Sequence, residues 1–304
     1  MISQKTIRSW IPQALKTFKT VMPSVSTPYP DFFIASKRSL SKLRDRLVIQ
    51  TKSPNRKMPD PYDNVMEFIH GDGGSAIMIC QDLCQVYLPE FTHFLWHELG
   101  HFYAVANERK KFYYFGGQIS FPNEIRRTGY MVWNEFIAES IANYVSRRAL
   151  NTNCQDITDP LCWYPVYNRV KKAIYYAYNT FFLSFDEYSL GQYFATILTD
   201  VEVKAFIDAA GKNELLEWDS RNWRNVPLHT NTIDPLALHT IPEQFSGLML
   251  ETKALLEKKL AEESFWNVEG KFLDELGSLI SELNNQKGFF VLRQALNISE
   301  NGKG

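Results

Sequence analysis

The chain has 304 residues, of which 45% are hydrophobic and 14% aromatic. That is enough apolar material for one large domain or two ordinary ones, and too much for wholesale disorder. With 33 basic residues against 34 acidic ones the net charge is -1, so the strong single-sign field that nucleic acid or a membrane surface calls for is excluded, and no partner of either kind is expected.

The first residues, Met1 to Trp10, show no apolar leader and no small-residue cleavage pattern, and the most apolar stretch, Ala173 to Phe185, is too short to span a bilayer. A cytoplasmic protein is expected. Ile7, Trp10, Ile11, Leu15 and Phe18 recur at helical spacing over residues 3–22, and Pro23, Pro28 and Pro30 end that helix. A second helix is expected over Ala35 to Val48, then a loop at Pro54, Pro59 and Pro61. Val65 to Ile69 and Ser75 to Cys80 read as strands about a turn at His70-Gly71-Asp72-Gly73-Gly74, and Gln85 to Leu88 as a further strand. Pro89 and Glu90 open a helix from Phe91 to about Ala106. Residues 112–121 read as β. Helices are expected over 130–149, 164–183, 188–199, 201–210, 244–263 and 266–284, with a long loop from Asp219 to Pro242. Arg126-Arg127 reads as a pair of solvated loop charges. Cys80, Cys84, Cys154 and Cys162 lack the spacing of a zinc knuckle and are expected to be reduced.

The fold class is therefore α+β: a small sheet packed on the helix from Phe91, with a mainly helical C-terminal part. Residues 1–62 form an N-terminal helical segment, 63–150 the core and 151–304 the C-terminal region.

That central helix contains His97-Glu98-Leu99-Gly100-His101. Histidines four apart leave one helical face, where two imidazoles bind one zinc ion, and the intervening glutamate stays within reach of a water in an open metal position. His97 and His101 are thus candidate ligands and Glu98 the candidate general base. A catalytic zinc takes three protein ligands. The third comes from Glu135 or Glu139, one turn apart on the helix over 130–149. Glu135 is read as the ligand and Glu139 as the acceptor for a ligand histidine's other ring nitrogen, with the reverse as the alternative. The small residues Ala138, Ser140 and Ala142 let the two helices approach. His93 shares the motif face but lies too far along the axis from His101 to join a three-histidine site; it is read as packing or outer support. A donor for a developing oxyanion is open among His229, His239, Tyr188 and Tyr193.

On these residues, 65–145 resemble the gluzincin branch of the zinc metallopeptidases, and more distantly the compact zincins of the ImmA/IrrE type. The resemblance implies a zincin-like core, one catalytic Zn²⁺ and a protein or peptide substrate lying extended against a sheet edge, for which Gln85 to Leu88 is the nearest strand. A zinc-dependent hydrolase is the expected function. The alternatives are a metal-binding regulatory or interaction protein that cleaves nothing, and a helical module without metal.

Overall fold

A computed structural model describes residues 2–53, 65–82, 84, 88–107, 124–150, 187–200, 243–262, 265 and 268–301. Among these the protein is mixed α+β and mostly helical, with seven helices and one three-stranded sheet. The expected segments at 112–121, 164–183 and 201–210, the loop from Asp219 to Pro242, Cys154 and Cys162 lie outside the described residues. The chain divides into two compact units, Met1–Pro122 with Ile137–Thr152, and Asn123–Phe136 with Asn153–Gly304.

The first unit opens with α1 (Gln4–Val21), where Ser3 caps the N-terminus by accepting from the Thr6 N–H at 3.1 Å. Its buried stripe is Ile7, Ile11, Ala14 and Phe18. That stripe lies along α3 (Leu88–Asn107): Trp96 Nε1 donates to the Ala14 carbonyl at 3.0 Å, and Phe18 meets Tyr103 edge to face. Leu88 thus begins a helix and is not the end of a strand. A proline at position 89 sits in the helix's first turn, where an N–H has no intrahelical partner to lose.

The sheet comprises β1 (Asp31–Ala35), β2 (Met66–Gly71) and β3 (Gly74–Cys80), in the order β1-β3-β2. β1 runs parallel to β3 and β2 antiparallel to it. Strand β1 replaces an expected connector, and Ala35 is its last residue instead of a helix start. The following helix α2 (Lys37–Thr51) begins where Ser36 is still extended and Asp82, two residues past β3, accepts from the Lys37 N–H at 2.6 Å. It runs past Val48 because its stop is Lys52, in the left-handed region at φ 54. Asp72 and Gly73 make the turn between β2 and β3, so His70 and Gly71 belong to β2; Gly74 takes φ 123, which favours glycine.

Side-chain alternation gives the sheet two covered faces. Leu40, Leu47 and Val48 of α2 pack on Ile69, Ala76, Met78 and Cys80. On the opposite face Phe68 meets Phe102 of α3 edge to face. Arg44 of α2 reaches the buried Glu67 of β2 at 3.0 Å. Cys80 and Cys84 are free and buried, and burial pushes the Cys84 thiol up to about 12.

Helix α4 (Glu124–Leu150) contributes its first half to the second unit and its second half to the first. In the second unit it meets α5 (Glu187–Thr199), and α6 (Glu243–Leu260) packs on α5 and on α7 (Gly270–Asn301). It starts six residues before the expected boundary because Gly129 is a crossing point: a Cβ there would strike the main chain of Leu273 in α7, and one at Gly277 would strike that of Ile125. Arg126 and Arg127 are helical, not loop charges. Arg126 Nε donates to Asp274 at 2.8 Å and Arg127 Nε to Glu124 at 2.7 Å. No described helix is long and apolar enough to cross a membrane.

Candidate metal centre

In the first unit α3 and α4 run antiparallel and touch main chain to main chain. A Cβ on Gly100 would lie 2.7 Å from the Ala138 carbonyl oxygen and 2.9 Å from its Cα. Ala138 is fully buried. It precedes Glu139 in sequence, so this close approach sets that carboxylate against the motif face of α3.

His97, His101 and Glu135 each offer a donor atom, and these atoms lie within 4.8 Å of one another. All three residues are buried, with 9%, 8% and 5% of their surface exposed. The two rings stand nearly perpendicular, with centroids 4.8 Å apart. A tetrahedral ion with ligand bonds of about 2.1 Å holds its donors about 3.4 Å apart, within reach of small side-chain rotations from this arrangement. Two imidazoles and a carboxylate are also the donor set of a catalytic zinc with one position left for solvent. The group could therefore hold a metal ion.

Glu139 has a different place. Its Oε2 accepts from His97 Nδ1 at 2.9 Å, and its Oε1 accepts from His93 Nε2 at 2.9 Å. His93 Nδ1 in turn lies 3.3 Å from Ser146 Oγ. So of the two α4 carboxylates, Glu135 stands with the donor group and Glu139 on the far ring nitrogen of His97.

Glu98 points to the sheet. Its Oε2 accepts from the Phe68 main-chain N–H at 2.7 Å. The register explains why that N–H is available. Gly71 and Gly74 pair across the turn, and the Cys80 N–H donates to the Val65 carbonyl at 2.8 Å. Alternate residues Val65, Glu67, Ile69 and Gly71 thus turn their main-chain groups to β3, and Met66, Phe68 and His70 turn theirs outward. The outer edge of β2 is therefore the sheet edge that meets the motif helix. Gln85 to Tyr87 lie outside the described residues. His70, expected in a turn, is in β2 and stacks on Phe68 with ring centroids 5.9 Å apart.

Gln192 was not among the expected site residues. From α5 its Nε2 donates to Glu135 Oε2 at 3.0 Å. Gly191 makes the approach possible, since a Cβ there would lie 2.5 Å from the Val132 carbonyl oxygen and 2.7 Å from Glu135 Cβ. A Gly-Gln pair inside the otherwise apolar run Leu190 to Ala195 was the available signal. Among the candidate oxyanion donors, Tyr188 sits one turn before Gln192 on α5 and is 38% exposed. Tyr193 is buried, and burial pushes its hydroxyl up to about 12, so it keeps its proton at neutral pH. His229 and His239 lie outside the described residues.

In comparisons with known proteins the chain matches no family model, no curated protein and no solved structure, so the candidate centre stands on its own geometry and chemistry.

Proposed function

We propose that the protein is a zinc-dependent hydrolase acting on a protein or peptide, with His97, His101 and Glu135 holding one zinc ion. The supporting observation is the convergence of those three side chains, with Glu98 aimed from the same helix at the outer edge of β2. When bound, zinc supplies Lewis acidity, which lowers the pKa of a water and polarises a carbonyl.

The chain's own residues do the rest. Glu139 fixes the His97 ring through Nδ1, and Gln192 orients the Glu135 carboxylate. An extended peptide lies along the outer edge of β2 beside Phe68, the strand-addition mode of recognition. A substrate carbonyl arriving at the Phe68 N–H displaces Glu98, whose carboxylate then takes a proton from the attacking water and passes it to the departing amine. Strand β2 thus takes the role first expected of Gln85 to Leu88.

The test is cleavage of a peptide library by zinc-loaded protein, read by mass spectrometry, for the natural chain and Glu98→Gln. General-base loss lowers turnover by about 10²–10⁴-fold. The variant is expected to keep its zinc and lose cleavage to that extent. Equal cleavage by both would remove Glu98 from the reaction. Stoichiometric zinc with no cleavage by either would favour the regulatory metal-binding protein.

A further inference from the structure

We propose that His93 is a positioning residue for the metal centre: backed by Ser146, it pins the Glu139 carboxylate so that His97 presents its Nε2 to the ion. This rests on the reading of His97 as a ligand.

The antiparallel run of α3 against α4 places the partners in order. His93 meets Ser146 and Glu139, His97 meets Glu139, and Gly100 meets Ala138. His93 is eight residues from His101, about 12 Å along a helix axis, too far to share an ion with it. Its contacts assign it another task. A carboxylate can only accept, so both histidines donate to Glu139, His93 from Nε2 and His97 from Nδ1. Donation from Nδ1 makes Nε2 the lone-pair nitrogen of a neutral His97 ring, and that is the nitrogen a metal needs. The two bonds reach opposite oxygens of Glu139, each at 2.9 Å, so together they fix the carboxylate against rotation. Ser146 Oγ occupies the other nitrogen of His93 and holds that ring in turn. The His93 side chain is 19% exposed and that of Glu139 only 8%, so His93 also stands between the carboxylate and solvent. A histidine placed only to fill space needs neither the Nε2 donor nor the serine behind it.

Zinc affinity, measured by competition with a chromophoric chelator, reads this role without any need for turnover. Loss of a group that supports a ligand weakens metal binding by about 10–100-fold. That loss is expected for His93→Phe, with a smaller one for Ser146→Ala. His93→Gln carries an amide N–H where Nε2–H stood and is expected to recover most of the affinity. His93→Asn mimics only Nδ1 and is expected not to, so the Gln and Asn pair carries the test even where the Phe variant does not fold. Urea unfolding of the metal-free variants separates lost affinity from lost fold. Affinities within twofold of the natural chain for both Phe and Asn, or a Gln variant as weak as Asn, would overturn the role. If the natural chain takes up no zinc, the metal reading itself fails; if it binds and the variants match it, only the positioning role does.

Discussion

Gly100 lies against the Ala138 main chain with no room for a methyl group between them. Gly100, inside the motif, thus helps build the candidate centre: the contact brings α4 close enough for Glu139 to reach His97. Gly100→Ala puts a Cβ into a backbone, which cannot swing aside as a side chain does. Overpacking of this kind costs about 1–3 kcal/mol. Urea unfolding should show that loss, and zinc affinity should fall with it even though no ligand is altered.

Glu139→Gln tests the carboxylate differently. The amide has one acceptor and one donor group where two ring N–H groups now arrive. One histidine must turn or change tautomer, and where that is His97 its Nε2 is lost as a lone-pair nitrogen. Zinc affinity is expected to drop by about 10–100-fold, read by chelator competition, while far-UV circular dichroism stays unchanged.

Gln192→Ala removes the donor to Glu135. A hydrogen bond to a charged group contributes about 1.5–3 kcal/mol. Zinc dissociation into excess chelator should be faster than in the natural chain, with Glu135 still able to bind. An unchanged dissociation rate would assign Gln192 to packing alone.

The buried Arg44–Glu67 pair makes a prediction about pH. Burial pushes the Glu67 carboxyl up, and Arg44 pulls it back. With its folded pKa above the unfolded value, the folded state takes up the proton first as pH falls. Glu67 therefore weakens the fold as pH rises through its folded pKa, and the fold recovers on acidification. Arg44→Met removes the opposing charge and exaggerates the effect. Loss of one partner of a buried pair costs about 3–5 kcal/mol. Denaturant midpoints should show that deficit against the natural chain at neutral pH, and a smaller one at pH about 5. A deficit that is flat with pH would mean that Glu67 does not titrate in the variant.

The motif helix and the α4 helix were legible because each carries a long apolar period and a local chemical signature. Strand β1 was not. Phe32, Phe33 and Ile34 are β-formers set between Pro30 and Ser36, but what makes them a strand is parallel pairing with β3, some 45 residues downstream, a tertiary choice with no local mark. Leu88 opens a helix where a strand end is expected for a related reason, since apolar residues before a proline serve a strand end and a helix start equally. Among the candidate residues, His97, His101, Glu135 and Glu139 follow from helical spacing and Glu98 from the motif it sits in. Gln192 does not, because its role is fixed by where α5 meets α4. Gly129 carries no local mark either, because its packing contact with α7 is set by where the two helices cross.

The most direct measurement is zinc stoichiometry by elemental analysis after reconstitution and removal of free metal, on the natural chain and on His97→Ala, His101→Ala and Glu135→Ala. One zinc per natural chain is expected, with each variant losing most of it while remaining folded by circular dichroism. A natural chain that holds no stoichiometric zinc, or variants that hold as much as it does, would contradict the convergence of those three side chains on one ion.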